Sequence, residues 1–283
     1  MDAQPAGGQV QGKVAFVTGA ARGQGRSHAV RLAAEGADII AVDVCAPDPT
    51  APYPMADAAD LAETVRQVEA TGRRIVARQA DVRDPAALRA AVADGVAAFG
   101  RLDIVLANAG IAHYSRAVDL DDDDWTQLID VDLNGVWWTV KAALPHLIAG
   151  GRGGSIVLTS STAGLRGLQN CVHYVTAKHG LVGMAKALAL ELGRHDIRVN
   201  TIHPNSVNTA MLQNAPTWEL FLPGRANPTP EQFERVARSL NVLPTPWSEP
   251  ADISDIVLFL VSEAARTITG IAFPVDAGQS VRW

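Results

Sequence analysis

Apolar residues along the chain alternate between short β-branched runs and longer segments with helical periodicity. Seven runs predict β-strands, at 13–19, 37–44, 73–82, 102–110, 154–161, 197–204 and 270–278. Runs that are nearly continuously apolar are typical of a parallel sheet covered on both faces. The helical segments between them are rich in alanine and leucine, and several end in glycine. The alternation predicts an α/β doubly wound Rossmann fold: one domain with a seven-stranded parallel sheet and helices on both faces.

Three segments depart from this alternation. We predict that residues 1–12 are a loose, flexible N-terminal tail and that residues 13–283 form the single domain. Residues 45–58 contain four prolines, which predicts an irregular insertion after the second strand. Residues 210–248 follow the sixth strand, and long segments at the carboxyl end of a strand are usually functional. We therefore interpret 210–248 as a substrate lid.

The composition limits the partners and the location of the protein. The chain has 283 residues, 48% of them hydrophobic, and a formal net charge of -6 with dispersed basic residues. This balance argues against nucleic acid or an anionic membrane as a partner. Two cysteines, Cys45 and Cys171, suit a reducing compartment, and the N-terminus lacks the apolar core of a signal peptide. We expect a cytoplasmic protein without a membrane span and, because the histidines lack ligand spacing, without a metal site.

A glycine-rich turn follows the first predicted strand and leads directly into a helix. Its sequence, TGAARGQG, contains Gly19, Gly23 and Gly25. Glycines at this position let the backbone approach a pyrophosphate, and the helix N-terminus adds amide donors and partial positive charge. A plain tight turn is the alternative, but the position between strand and helix favours a nucleotide site.

The choice of nucleotide depends on two residues of opposite charge. Asp43 ends the second strand, 18 residues after Gly25, where a carboxylate would accept hydrogen bonds from the adenosine ribose hydroxyls. Arg22 in the glycine turn favours a 2′-phosphate instead. We give Asp43 more weight, because a carboxylate repels phosphate whereas an arginine can turn to solvent. The sequence therefore predicts NAD.

A tyrosine and a lysine lie four residues apart in the segment CVHYVTAKHG. On a helix Tyr174 and Lys178 would share a face. A cation at that distance lowers the pKa of a phenol toward the working range of an acid/base catalyst. The pair alone would also fit an ordinary helix surface, so its interpretation depends on the other motifs.

Together with these motifs, three further features complete a family pattern. They are Asp81-Val82 after the third strand, Asn108-Ala109-Gly110 after the fourth and a serine ending the fifth. With them the chain resembles the short-chain dehydrogenases/reductases over residues 13–278. The insertion with VDVCAP and YPM, and the ending PVDAG, resemble more narrowly the mycofactocin-associated, carveol-dehydrogenase-like branch. That resemblance implies an NAD that stays bound and is reoxidised in place by a redox partner, and we also expect a homotetramer.

The resemblance implies roles for individual residues. Tyr174 would be the acid/base, Lys178 would lower its pKa and hold the nicotinamide ribose, and Ser161 would hydrogen-bond the substrate oxygen. Asp132, in VDLNG, stands where the family usually has an asparagine whose backbone carbonyl positions a relay water, so we include it as catalytic. The implied cofactor-binding residues are Gly19, Arg22, Gly23, Gln24, Gly25, Asp43, Asp81, Val82, Asn108, Ala109, Gly110, Tyr174, Lys178, Pro204, Val207 and Thr209.

The lid segment adds a prediction about the substrate. Its aromatic and aliphatic side chains, with few polar groups, describe a pocket for a largely apolar ligand. The predicted substrate contacts are His113, Trp218, Phe221 and Trp247. We expect an NAD-dependent oxidoreductase that moves a hydride between nicotinamide and a hydrophobic, terpenoid-like secondary alcohol or ketone. The alternatives are a catalytically silent NAD-binding scaffold or sensor, and a sugar epimerase or dehydratase of the extended branch.

Overall fold

The structure, a computed structural model, describes residues 7–225 and 227–282. Within these ranges the strands are seven: β1 (Val14–Thr18), β2 (Asp38–Asp43), β3 (Ile75–Gln79), β4 (Ile104–Ala107), β5 (Gly154–Thr159), β6 (Ile197–Pro204) and β7 (Ala272–Val275). They form one parallel sheet in the order β3-β2-β1-β4-β5-β6-β7. The order reverses between β1 and β4, which opens a crevice at the carboxyl ends of these strands. The predicted doubly wound parallel sheet is confirmed.

Helices cover both faces of the sheet. They are α1 (Gly23–Ala34), α2 (Ala58–Glu69), α3 (Pro85–Phe99), α4 (Asp122–Ile129), α5 (Gly135–Gly150), α6 (Val172–Leu192), α7 (Ala215–Phe221), α8 (Pro230–Leu240) and α9 (Pro250–Val261). Along β1, Phe16 packs into the core under α3, α5 and α6, and its neighbour Val17 packs into the core under α1, α2 and α9. Both faces of the strand are thus buried, which explains its continuous apolar run. None of the helices in the described ranges has the length and apolarity needed to cross a bilayer.

Aspartates fix where several helices begin. The Asp57 side chain accepts a hydrogen bond from the backbone N–H of Asp60 at 2.9 Å, and the Asp60 side chain accepts one from the backbone N–H of Asp57 at 3.2 Å. Asp121 accepts from the N–H of Asp123 at 2.9 Å and begins α4. The four consecutive aspartates at 121–124 therefore cap α4 and complement its dipole.

The predicted N-terminal tail needs a correction. Val10 is fully buried, and its N–H donates to the Glu35 carbonyl at 3.2 Å. Gly12 donates in the same way to the Gly36 carbonyl at 3.0 Å. Residues 7–12 are therefore held against the end of α1, because the apolar Val10 covers it. The remainder of the predicted tail, 1–6, lies outside the described residues.

Two segments extend the sheet-and-helix body near the crevice. The insertion, residues 45–58, connects β2 to α2 and is irregular up to the start of that helix. The lid segment, which we define as residues 210–225 and 227–248, contains the two helices α7 and α8, joined and flanked by irregular backbone. Phe233 of α8 is fully buried, and its ring stacks on those of Trp218 and Trp247 at centroid distances of 6.0 and 6.1 Å. The lid segment thus has a small apolar core of its own.

Candidate active site

A cavity of about 170 Å3 lies at the carboxyl ends of β1, β2 and β4. It brings together most of the residues predicted to bind the cofactor: Gly19, Arg22, Gly23, Gln24, Gly25, Asp43, Asp81, Val82, Asn108, Ala109, Gly110 and Thr209. We call it the nucleotide cavity. Its position at the reversal of strand order is where doubly wound sheets bind ligands.

The glycine turn of the nucleotide cavity has no room for side chains. Gly19 has a φ of +66°, and a Cβ there would lie 2.8 Å from the Cα of Ala109. A Cβ on Gly25 would lie 2.0 Å from the carbonyl oxygen of Gly19. The Asn108 side chain fixes the turn by donating to the Thr18 carbonyl at 3.1 Å. This packing leaves bare backbone at the N-terminus of α1, which fits a pyrophosphate.

Asp43 and Arg22 occupy different environments. Asp43 is mostly buried, and its carboxylate accepts hydrogen bonds from the N–H groups of Ala21 at 2.9 Å and Cys45 at 3.1 Å. Carboxylate oxygens have further lone pairs, so Asp43 retains acceptors for ribose hydroxyls. Arg22 instead donates to the Pro54 carbonyl of the insertion. These contacts favour NAD over its 2′-phosphorylated form.

The insertion forms a wall of the nucleotide cavity that sequence reasoning did not assign. The Tyr53 hydroxyl is buried and accepts a hydrogen bond from the N–H of Ala112 at 3.1 Å. Burial also raises the pKa of Tyr53. Asp48 accepts from the Gln127 side chain at 2.6 Å, which ties the insertion to α4. The available signal was an aromatic residue within a proline-rich segment directly after Asp43.

A second cavity, of about 290 Å3, adjoins the first and reaches the lid segment. We call it the substrate cavity. Both cavities are lined by Gln24, Asn108, Gly110, Ile111, Thr209 and Met211. The predicted residues that line the substrate cavity are Ser161, Tyr174, Lys178, Asp132, Pro204, Val207 and Phe221. The candidate catalytic groups therefore lie where a nicotinamide and a substrate would meet.

Helix α6 presents Tyr174 and Lys178 on one face. The Lys178 Nζ lies 5.4 Å from the centroid of the Tyr174 ring and donates to the Thr159 carbonyl at 3.1 Å. It also forms an ion pair with Asp132, with 3.0 Å between Nζ and Oδ2. The lysine is thus anchored by the Thr159 carbonyl and by Asp132.

Ser161 lies nearby and begins a 3₁₀ turn, where its Oγ accepts a hydrogen bond from the N–H of Ala163 at 3.1 Å.

Asp132 lies in the π-helical turn Asp130–Asn134 between α4 and α5. It is fully buried and accepts a hydrogen bond from the N–H of Ile111 at 2.8 Å. Burial raises the pKa of the Asp132 carboxyl, and the ammonium of Lys178 opposes that rise. The carboxylate therefore fixes the segment after β4 and compensates the lysine charge.

The electrostatics at Tyr174 differ from the sequence prediction. Burial raises the pKa of Tyr174 above its ordinary value of 10, and the Asp132 carboxylate raises it further. A hydrogen bond with the Ser161 side chain acts in the opposite direction. The prediction of a lowered tyrosine pKa is therefore wrong, because burial dominates and the neighbouring Lys178 is paired with Asp132.

The structure also corrects three of the four predicted substrate contacts. Phe221 lines the substrate cavity, whereas Trp218 and Trp247 pack on Phe233 in the core of the lid segment. His113 meets His173 edge to face at 5.6 Å, beside Asp124 of α4. Both tryptophans stack on Phe233, because this contact buries part of their large apolar surface.

Other side chains take their place in the wall of the substrate cavity. Leu212 and Leu220 come from the lid segment, and Cys171 flanks Tyr174, as the sequence suggested. Those that the sequence prediction missed include Tyr114, Arg166, Leu168 and Gln279. Tyr114 lies near the Asn108-Ala109-Gly110 motif, which was a usable signal. Gln279 lies near the C-terminus, and no local pattern pointed to it.

Comparisons with known proteins agree with this geometry. A family model described as short chain dehydrogenase matches residues 13–220. The (-)-trans-carveol dehydrogenase of Rhodococcus erythropolis is 53% identical over 275 residues, which are 97% of this chain and 99% of that protein. The crystal structure of carveol dehydrogenase from Mycobacterium avium in complex with NAD has 51% identity and a TM-score of 0.95, covering 97% of this chain and 100% of that one.

A further solved structure is of the same kind. The short chain dehydrogenase from Mycobacterium paratuberculosis bound to NAD has 46% identity and a TM-score of 0.90, covering 97% of this chain and 100% of that one. The residues matched by the family model include the glycine turn and the Tyr174–Lys178 segment. The family predicted from the motifs is confirmed: the chain belongs to the short-chain dehydrogenases.

Proposed function

We propose that this protein is an NAD-dependent alcohol dehydrogenase that transfers a hydride between nicotinamide and a hydrophobic cyclic secondary alcohol or its ketone. Terpenoids are the substrate class that we favour. The observation that carries the proposal is that Ser161, Tyr174 and Lys178 line the substrate cavity, which adjoins the nucleotide cavity and shares wall residues with it. Such an arrangement serves hydride transfer coupled to proton transfer.

The glycine turn, Asp43 and Asn108 fit NAD, which supplies the hydride acceptor or donor. Asp81 and Val82 line the adenosine side, and Thr209, Pro204 and Val207 line the side toward the substrate cavity. We assign the ribose hydroxyls to Asp43 and, on the nicotinamide side, to Lys178. These assignments follow from the cavity that each residue lines.

In the mechanism that we propose, Ser161 and Tyr174 hold the substrate oxygen. During oxidation the Tyr174 oxygen, as a phenolate, takes the proton from the alcohol. During ketone reduction the Tyr174 phenol donates that proton back. Its raised pKa makes the protonated phenol the resting form, which suits the donor role in reduction. Asp132 acts through Lys178, because their ion pair holds the ammonium beside the tyrosine.

The walls of the substrate cavity support an apolar substrate. Leu168, Met211, Leu212, Leu220 and Phe221 contribute aliphatic and aromatic surface near the catalytic groups. A sugar would leave several hydroxyls without partners against such walls, at a free-energy cost for each. The 53% identical relative is named for carveol, and we extend that type of substrate to this chain.

We also propose that NAD stays bound between turnovers and is reoxidised in place by a mycofactocin-type redox partner. The support is the insertion, which is tied to three separate elements. Tyr53 bonds to the N–H of Ala112, Asp48 bonds to Gln127, and Pro54 accepts from Arg22. A wall fixed in this way hinders release of the nucleotide.

The remaining proposals concern assembly and location. We propose a cytoplasmic homotetramer. Trp137 and Trp138 on α5 are only partly buried, and Lys141 lies over both rings at 5.7 and 5.2 Å. Aromatic side chains with an adjacent cation are suited to a subunit contact.

A panel of alcohols tests the function. Cyclic terpene alcohols, steroids and polar polyols are offered to the purified protein, once with an artificial electron acceptor and once with free NAD. We expect turnover of the cyclic terpene alcohols, and faster turnover with the artificial acceptor. A preference for polyols would refute the apolar site, and fast turnover with free NAD alone would refute retention of the cofactor. If no alcohol turns over under either condition, an NAD-binding scaffold explains the protein better.

A further inference from the structure

The substrate cavity contains a positive charge that the proposed chemistry does not use. Lys178 and Asp132 lie 3.0 Å apart and are neutral as a pair, whichever of them holds the proton. Arg166 also lines the cavity. In the described ranges, no carboxylate lies within ion-pair distance of its guanidinium. The substrate cavity therefore has a net positive charge that comes from Arg166.

The hydrogen bonds of Arg166 are incomplete. One terminal nitrogen donates to the backbone carbonyl of Gln279 at 3.2 Å. The Nε is buried and meets no acceptor within the part of the chain that the structure describes. A guanidinium has five N–H donors in a planar fork, so several remain for a ligand. Because the Nε has no exposed surface, a ligand would reach the terminal nitrogens, which have one protein acceptor between them.

The surroundings of Arg166 hold it in place. Gln279 accepts a second hydrogen bond, from the Thr162 hydroxyl to its side-chain oxygen at 3.2 Å. Thr162 belongs to the 3₁₀ turn that begins at Ser161, and Arg166 follows the same turn. The cation is therefore attached to the same short segment as the serine that we assign to the substrate oxygen.

We propose that Arg166 binds a carboxylate of the substrate, so that the preferred substrates are alicyclic secondary alcohols that also carry a carboxylate. The alcohol part of this inference rests on the proposed function. A planar carboxylate matches the guanidinium fork and needs a single cation. A phosphate carries more charge than one arginine compensates, and much of the remaining wall is apolar, with Leu168, Leu212 and Phe221. The ring of the substrate would lie against those apolar walls.

Binding measurements test the anion site without requiring turnover. The NAD-loaded protein is titrated calorimetrically with cyclohexanecarboxylate and with cyclohexanecarboxamide, its uncharged analogue. A charge-assisted hydrogen-bonded pair predicts about 10- to 100-fold tighter binding of the carboxylate. Arg166→Met should remove this preference, and Arg166→Lys should keep part of it because the charge remains.

The control variant is Arg194→Met, which changes the net charge equally at an exposed position outside both cavities. It should keep the preference. Thermal unfolding of all variants shows whether each is folded. If Arg166→Met does not fold, the binding preferences of Arg166→Lys and Arg166→Gln test the inference instead.

Two results would overturn the inference. The first is equal binding of the carboxylate and the carboxamide by the unmodified protein. The second is an equal weakening of both ligands by the Arg166 variants, which would mean that Arg166 only supports Gln279.

Turnover separates this inference from the proposed function. The same comparison is made with 4-hydroxycyclohexanecarboxylate and its carboxamide, using an artificial electron acceptor. A higher kcat/KM for the acid that depends on Arg166 supports both proposals. Turnover without a preference leaves only the dehydrogenase, whereas Arg166-dependent binding without turnover of any cyclic alcohol leaves only the anion site.

Discussion

The insertion and the lid segment both border the active site, but different forces hold them. The insertion has little core of its own and is joined to the body by directional hydrogen bonds at Tyr53, Asp48 and Pro54. The lid segment is organised around Phe233, and its backbone bonds to the body near its end, at 242–248. A wall held by several separate bonds stays closed, whereas a unit with its own core can move as a body. We therefore expect the cofactor side to be fixed and the substrate side to exchange.

The largest loss of activity is expected from a change at the catalytic tyrosine, between the cofactor side and the substrate side. Tyr174→Phe removes the group that we propose to carry the proton, and positioned acid/base groups contribute about 100- to 10,000-fold. We expect kcat to fall by that factor while the NAD content of the purified protein stays unchanged. Steady-state kinetics and the absorbance of the extracted nucleotide provide both measurements. A variant with more than about a tenth of the original kcat would rule out the assignment of Tyr174.

The second-largest effect is a rise in KM when the core of the lid segment is disrupted. Phe233→Ala leaves a cavity among the aromatic rings, and such substitutions cost about 3–5 kcal/mol of local stability. We expect KM for a cyclic alcohol to rise at least tenfold, because the walls near Phe221 lose their support. NAD retention should not change. Phe233→Leu, which keeps most of the volume, is the control, and a loss of NAD from Phe233→Ala would show that the two sides are coupled.

Asp43 tests the cofactor side. Asp43→Ala removes a carboxylate that fixes the turn through Ala21 and Cys45 and that we assign to the ribose. Hydrogen bonds to charged groups contribute about 1.5–3 kcal/mol, so NAD affinity should fall roughly 10- to 100-fold. The advantage of NAD over NADP should narrow as well, since the repulsion of the 2′-phosphate is lost. If the unmodified protein prefers NADP, then Arg22 determines the choice of nucleotide.

A smaller and more selective effect is expected at Tyr53. Tyr53→Phe leaves the N–H of Ala112 without its acceptor, which costs about 1–3 kcal/mol for a buried group. NAD should dissociate faster during dialysis, with KM for the alcohol unchanged. Tyr114→Phe, in the wall of the substrate cavity, is the matched control and should change KM but not NAD release. The same response from both variants would contradict the contrast between the two sides.

The smallest effect is a shift along the pH axis. Asp132 raises the pKa of Tyr174, so Asp132→Asn should lower that pKa. Alcohol oxidation needs the deprotonated phenol, and the midpoint of its pH–rate profile should therefore move to lower pH. An asparagine still offers an oxygen to the N–H of Ile111, which preserves the local structure. An unchanged midpoint, or one moved to higher pH, would mean that Asp132 does not influence the tyrosine.

The sequence patterns correctly predicted the features that depend on residues close together in the chain. The central strands of the sheet follow from continuous apolar runs, and the glycine turn follows from the steric demands at Gly19 and Gly25. Lys178 was expected to lower the pKa of Tyr174, yet its charge is compensated by Asp132, which approaches from a distant part of the chain. The orientation of Trp218 and Trp247 depends likewise on Phe233. Both outcomes require tertiary packing, which no window of the sequence contains.

Val10 similarly shows that one buried residue can fix a segment, residues 7–12, that the sequence predicted to be a flexible tail. Its neighbours are glycines and glutamines, which resemble a tail, but one valine against the end of α1 suffices to fix residues 7–12. Arg166 and Tyr53 were missed for a related reason. Each lies in a segment without periodicity, and its partner comes from another part of the chain.

The place of Gln279 in the wall of the substrate cavity has a consequence for how the two cavities can diverge. The nucleotide cavity is lined by residues 19–131 and 209–211. The substrate cavity is also lined by residues farther along the chain, from Leu212 to Gln279. Substitutions between 212 and 279 can therefore change the shape and chemistry of the substrate cavity without altering any residue that lines the nucleotide cavity.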